Sequence, residues 1–301
     1  MIFTSEYNSC FISEISNYGH RGRKTFLAIV EAGNFISASR RLHVTQSTVS
    51  ARIRGLEEMI GTPLFIRTKA ACEMTPAGQR FYRHARTIVR AWEEARHQIA
   101  VPLGFTEHLA VGGQYSLWNH FLLDWLESFR TQNKNCSLKA SVGMPDRLMR
   151  QLVDGVLDLG VMYAPQYRPG LVVEELFKDE LIMVSAGENA EPDPSTYVFI
   201  DWGEEFRHWH GAHFEELHNP GLALDLGSIG ISYLIATKKA GYFPKRIAEP
   251  YLKEGSLRRL SAPVFEYPVY TVYQSEFRTP EMLRSALREL IRIGESIVNQ
   301  S

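Results

Sequence analysis

The spacing of apolar positions divides this chain into two regimes, helical periods up to about residue 100 and strands alternating with helices beyond it. In the stretch Gly33 to Glu58, GNFISASRRLHVTQSTVSARIRGLEE, Phe35, Ala38 and Leu42 recur at helical spacing, and Val49, Ile53 and Leu56 do so again. The pattern predicts two short helices. His43-Val44-Thr45 leaves room only for a sharp corner between them, and the Thr45 hydroxyl is placed to cap a helix starting near Gln46. Leu64-Phe65-Ile66 reads as a short strand and Lys69 to Glu73 as a loop or wing before Met74. From Pro76 to about Ile99 the residues Phe81, Ala85, Ile88, Trp92, Ala95 and Ile99 alternate at steps of four and three, the seam positions of a heptad. That is a long helix with one pairing face, and Pro102 with Gly104 marks a hinge after it.

From Glu107 onward the apolar runs are short. HLAVGG from His108, CSLKASVG from Cys136, LDLGVMYA from Leu157, LIMVSA from Leu181, YVFID from Tyr197, LALDLG from Leu222 and YPVYTVYQ from Tyr267 are strand candidates. Helical patterns run through Phe129, from Asp146 to Asp154, from Ser228 to Ala240 and from Pro280 to Asn299. Such alternation implies parallel sheets with helices on both faces.

On a wheel of the second short helix, Val49, Ile53 and Leu56 point inward. Ser47, Ser50, Ala51 and Arg54 then point outward, with Gln46 at the exposed start and Arg52 on a flank. Small outward residues let a helix approach the major groove of DNA closely, and Gln and Arg pair bidentately with adenine and guanine edges. Arg67, at the strand that follows, is placed to bring a cation near phosphates or the minor groove. Charge agrees: residues 20–100 hold 14 Lys and Arg against 6 Asp and Glu, whereas the whole chain is −1. A positive segment of that kind suits phosphate neutralisation. At 301 residues, 45% hydrophobic and 22% charged, the chain has the balance of a soluble globular protein of two or three domains. No run reaches the length of a membrane span. Residues 1–19 lack the basic start and apolar core of a signal peptide and read as a flexible extension or as the result of an upstream start codon. Cys10, Cys72 and Cys136 are odd in number and far apart, which favours reduced thiols and a cytoplasmic location.

Phe26 to Gly78 resembles the winged helix-turn-helix domain of the LysR-type transcriptional regulators. The matching residues are Phe26, Ala32, Phe35, Ala38, Leu42, Thr45-Gln46-Ser47, Val49-Ser50, Ile53, Leu56-Glu57, Gly61, Leu64-Phe65, Arg67, Thr75 and Ala77-Gly78. Ser39 stands where the family usually has a second alanine. The resemblance implies an α/β fold overall: a winged helix-turn-helix at residues 20–78, a linker helix and hinge at 79–104, and an effector domain at 105–301 resembling periplasmic binding proteins. Within the effector domain it implies one subdomain at 105–183 and 267–301 and a second at 184–266. It further implies a double-stranded DNA operator with inverted repeats, contacted by Thr45, Gln46, Ser47, Ser50, Arg52, Arg54 and Arg67. Self-association as a homodimer or homotetramer through the linker-helix seam, a small-molecule effector, no cofactor and no membrane partner complete the expectation.

In open α/β sheets ligands lie at the carboxyl ends of strands, against helix starts. Gln114-Tyr115-Ser116, Gly143-Met144-Pro145 and Gly227-Ser228 are such junctions. Ser116 and Ser228 can donate to a carboxylate, which points to an anionic effector, or can simply cap helices. Tyr115 and Trp118 line the apolar side or belong to the core, and Asp201 and Trp202 border the cleft or hold a hinge. The segment FRHWHGAHFEELH sets His208, His210, His213 and His218 among four glutamates, yet their spacing favours surface or packing histidines over a metal site. No nucleophile-elbow, phosphate-loop, dinucleotide or H-E-x-x-H motif occurs, so catalysis is not expected. A ligand-binding protein without a DNA function would leave the basic N-terminal part unused, and an architectural DNA-binding protein would need no two-lobed sensor.

Overall fold

The computed structural model describes residues 19, 21–67, 72–99, 102, 104–188, 194–217, 221–276 and 280–299. The expected extension at 1–19, apart from Gly19, therefore lies outside the described residues, as do Cys10, His218 and the tip of the wing. The chain forms two compact units, Met1–Ala100 and Val101–Ser301. No helix among the described residues is long and apolar enough to cross a membrane.

In the first unit a helix over residues 21–32 (α1) leads to α2, Phe35–Arg41, and α3, Gln46–Ile60. Asn34 caps α2 by accepting the Ser37 amide at 2.7 Å, and Thr45 caps α3 by accepting the Thr48 amide at 3.2 Å. The corner between them turns on His43, whose φ of 53° is the left-handed conformation a sharp reversal needs. Strands β1, Phe65–Arg67, and β2, Cys72–Met74, pair antiparallel, so Cys72 and Glu73 belong to a strand where a loop was expected. Both amides of the Leu64-Phe65 step donate to Glu57 Oε1, at 2.8 and 3.3 Å, which fastens this hairpin to α3. Helix α4, Pro76–Ile99, begins with Thr75 accepting the Gly78 amide at 3.0 Å. A Cβ on Gly78 would lie 2.2 Å from the Leu64 carbonyl oxygen, so only glycine permits this approach. Phe26, Ala38, Val49, Ile53, Leu56 and Leu64 form the core of the unit.

The expected seam of α4 divides into two parts. Ala85 and Val89 are fully buried, and Phe81 packs edge-on against Phe26 at 5.1 Å, so the first turns serve their own core. Phe81 and Ala85 are thus corrected from pairing to core positions, because steps of four from Phe81 bring Val89, rather than Ile88, onto the buried face. Ile88, Trp92, Ala95 and Ile99 remain exposed.

The second unit runs β3 (Glu107–Gly113), α5 (Tyr115–Leu117), α6 (Leu123–Gln132), β4 (Cys136–Val142), α7 (Pro145–Val153), β5 (Leu159–Tyr163) and β6 (Leu171–Ser185). It continues with β7 (Phe199–Ile200), α8 (Glu204–His213), β8 (Ala223–Leu224), α9 (Gly230–Thr237), β9 (Ala240–Pro244), α10 (Lys245–Lys253), β10 (Arg258–Arg259), β11 (Phe265–Gln274) and α11 (Pro280–Asn299). The large sheet has the order β10-β6-β11-β5-β3-β4, with β9 also on β6. Among its described strands only β3 with β4 and β3 with β5 are parallel, while β11 runs antiparallel to both β5 and β6. The expectation of parallel sheets is corrected to a mixed sheet, because β11 returns in the opposite sense between β5 and β6. Strand β6 starts ten residues before the expected run and passes unbroken through position 183, where a boundary between subdomains was expected. Its last five residues, Leu181 to Ser185, pair with β9. Short β7 and β8 form a separate parallel pair.

Candidate functional site

Helix α3 leaves the residues expected to read DNA on its outer side and flanks. Its buried side is Val49, Ile53 and Leu56, which leaves Gln46, Ser47, Ala51 and Arg54 exposed and Ser50 and Arg52 half-buried on the flanks. The Thr45 hydroxyl lies 2.8 Å from those of Ser47 and Thr48, so it fixes the first turn as well as facing solvent. Arg67 falls on β1, with its side chain outside the described residues. Ser39, in the place of a second alanine, is buried and donates to the Ile36 carbonyl at 2.8 Å, which satisfies its hydroxyl within the helix.

In the second unit a cleft of about 1250 Å³ opens at the carboxyl ends of β3, β5 and β7. Of the residues expected there, Tyr115, Ser116, Met144, Asp201 and Trp202 line it. Trp118, Gly143 and Ser228 are not among the lining residues. The Trp118 indole turns back to donate to the Gly113 carbonyl at 3.2 Å, which places it against the core. Ser228 is buried between lining residues Gly227 and Ile229, and its hydroxyl has no hydrogen-bond partner. The cleft also recruits Tyr163, Tyr267 and Trp209, and the charged groups Glu204, Glu205, Arg207, His208, His213 and Asp225, which sequence reasoning did not select. Most of these lie on α8, whose helical period is obscured by the histidine-rich stretch.

The inner wall is held together by ring stacking and hydrogen bonds. Tyr163 and Tyr267 stack with ring centroids 4.3 Å apart, and the Tyr267 hydroxyl donates to the Trp202 carbonyl at 2.9 Å. Asp201 accepts from the Gly203 amide at 2.9 Å and pairs with Arg207 at 2.6 Å. Beneath the wall lies a fully buried charge network. Arg246, near the start of α10, donates to Asp179 of β6 at 3.0 Å, to the Ser116 and Asn119 carbonyls at 2.7 and 2.6 Å, and to the Tyr163 hydroxyl at 3.2 Å. Tyr163 in turn donates to Asp179 at 2.7 Å. Burial alone would lower the Arg246 pKa, but Asp179 and Tyr163 outweigh it and hold the cation charged. Burial, then Asp179, pushes the Tyr163 phenol well up, so it stays a donor. The Asn119 carbonyl is available because the chain kinks after α5, with His120 at a φ of 58°. The sequence signal for this network is only a lone Arg near a Pro, which is why it escapes pattern reading.

The three described histidines of this segment do not form a cluster. His210 is buried with its Nε2 2.8 Å from the Tyr197 hydroxyl, His208 and His213 face the cleft, and His218 is outside the described residues. Among the described residues no group of three His, Cys, Asp or Glu is placed to hold a metal ion.

The family model described as "Bacterial regulatory helix-turn-helix protein, lysR family" matches residues 21–79, and that of the "LysR substrate binding domain" matches residues 104–293. The HTH-type transcriptional regulator HdfR of Yersinia enterocolitica is 26% identical over 277 residues, covering 88% of this chain and 94% of the relative. Among solved structures, ArgP from Mycobacterium tuberculosis is similar with a TM-score of 0.56 at 21% identity, covering 91% of this chain and 96% of that one. A cysteine variant of OxyR from Pseudomonas aeruginosa is similar with a TM-score of 0.55 at 18% identity, covering 90% of this chain and 94% of that one.

Proposed function

This chain belongs to the LysR family and is a transcriptional regulator with a helix-turn-helix and an effector-binding domain, and on that premise we propose that α3 reads an inverted-repeat operator under the control of a small molecule held in the α5–α8 cleft. The observation that carries the reading is the pairing of an exposed Gln46, Ser47, Ala51 and Arg54 face with a large cleft in the other unit. Gln46 and Arg54 specify bases, whereas Ser47, Ser50, Arg52 and Arg67 position the helix on phosphates. The exposed Ile88, Trp92, Ala95 and Ile99 stripe of α4 supports self-association, which a two-half-site operator demands. The domain limits 20–78, 79–104 and 105–301, with two effector subdomains divided near 183 and 267, remain part of this reading, as does a cytoplasmic location.

The ligand acts only through its different affinity for two arrangements of the effector domain. The test is selection of binding sites from random DNA with the purified full chain. A regulator enriches one site with two related halves, and an architectural protein enriches none.

A further inference from the structure

The expectation of an anionic effector rests on helix starts facing the cleft, and the structure weakens that ground. Helix α5 is a three-residue turn that breaks at Asn119-His120, too short to carry an appreciable dipole. Helices α7 and α8 do start at the cleft, but Asp146 occupies the first turn of α7, and Glu204 and Glu205 that of α8, and these carboxylates answer the positive ends. The side chains decide the balance. Asp201 and Arg207 neutralise each other, and among the described residues no cation forms an ion pair with Glu204, Glu205 or Asp225. Three carboxylates therefore line the cleft without a salt-bridge partner among the described residues, with His208 and His213 as the remaining basic groups.

A second feature concerns the rim. Tyr115 and Met144 on one side, and Leu226 and Ile229 on the other, are large apolar groups left at least half-exposed to within a few per cent. Exposed apolar groups lining both sides of a cleft fit a ligand with an apolar body. The field at the wall has the same sign as the side-chain count: burial first, and then Glu205 and Asp201, push the Tyr267 phenol up, against the opposing Arg207.

We propose that the effector is an organic cation, an amine or guanidine with an apolar stem, whose charge lies against Glu204, Glu205 and Asp225 and whose stem lies between Tyr115, Met144, Leu226 and Ile229. The inference rests on the cleft being the effector site. The Tyr115 ring adds a π-face at the rim for the cation or its stem.

Calorimetric titration of the full chain with a panel of size-matched pairs tests it: agmatine and phenethylamine against glutarate and 3-phenylpropionate. The amines should bind, weaken with added salt, and lose at least roughly tenfold in affinity in a Glu204→Gln, Glu205→Gln, Asp225→Asn variant. These side chains are exposed, so the variant should keep its fold, checked by thermal unfolding. Binding of the acids alone, or of neither set, overturns the charge inference. Ala212→Trp, which fills the cleft from an exposed position on α8, separates the two readings. Acids that bind the wild type and not this variant leave the cleft reading standing, whereas amines unaffected by both variants overturn the cleft and the charge inference together.

Discussion

Two arginines illustrate how differently a single residue can act in this protein. Arg54 is exposed on α3, and the role proposed for it is base recognition. Arg54→Ala or Gln46→Ala should relax preference at particular operator bases by about 1–3 kcal/mol, while Ser50→Ala or Arg52→Ala should weaken binding more evenly across sequences. Titrations against operators with single-base changes check this, and an unchanged base preference in both former variants would remove these side chains from the reading face. Arg246 is the opposite case, a buried cation with four acceptors. Arg246→Met would strand the Asp179 charge in the interior and should cost about 3–5 kcal/mol in urea unfolding. A loss under about 1 kcal/mol would mean that solvent reaches Asp179. Which residues α3 exposes was legible in the sequence because it depends on local helical period. The Arg246 network was not, because its partners Ser116, Asn119, Tyr163 and Asp179 are scattered along the chain.

At the scale of elements, legibility followed the same division. Helices α3, α4, α7 and α11 sit where periodicity placed them, since each has one apolar face and a clear start. Strand β6 was read late because its first ten residues include EELFKDE, which has no apolar run: Glu174, Glu175 and Lys178 are exposed, and Asp179 is buried as the partner of Arg246. Helix α4 was placed correctly but its face was mistaken in part, because a heptad pattern does not say whether the buried partner is the helix's own domain or a second copy. The exposed Ile88, Trp92, Ala95 and Ile99 stripe is what remains for pairing. Trp92→Glu should therefore shift a folded dimer to monomer in sedimentation and weaken binding to a two-half-site operator, whereas the buried Val89→Glu should unfold the unit instead. A Trp92→Glu protein that stays dimeric would place the interface elsewhere. The packing of α6 on α11 offers a further check. Hydrogen bonds from Arg292 first, opposed by burial and aided by Ser128 and Gln132, lower the Glu289 carboxyl from 4.5 to about 2. Its folded value lies below its unfolded one, so its contribution is complete above pH 4.5 and is lost as pH falls toward 2. Glu289→Gln should lower stability at neutral pH and flatten the acid decline across that window, measured by urea unfolding at a series of pH values. A decline as steep as the wild type's would show that other carboxylates account for it.

Across the whole molecule, recognition of DNA and recognition of effector reside in separate compact units, one basic and one acidic in its side-chain balance. The residues that line the cleft all belong to the second unit, so the influence of a cleft ligand on the operator must come from a difference in free energy between two states of the assembly. Thermodynamic linkage then fixes a relation that does not depend on which conformations are involved. If an amine that binds the cleft changes operator affinity by some factor, operator DNA must change the affinity for that amine by the same factor, typically about 5–150-fold for coupled sites. Two titrations of the full chain, DNA with and without saturating amine and amine with and without saturating DNA, should return equal factors. The Glu204→Gln, Glu205→Gln, Asp225→Asn variant sharpens the test. Its three positions are exposed at the cleft, so it should keep its stability and its ligand-free operator affinity while losing amine affinity. Unequal factors at equilibrium would mean that the amine also binds outside the cleft, and an operator affinity indifferent to the amine would leave the cleft as a binding site without regulatory force.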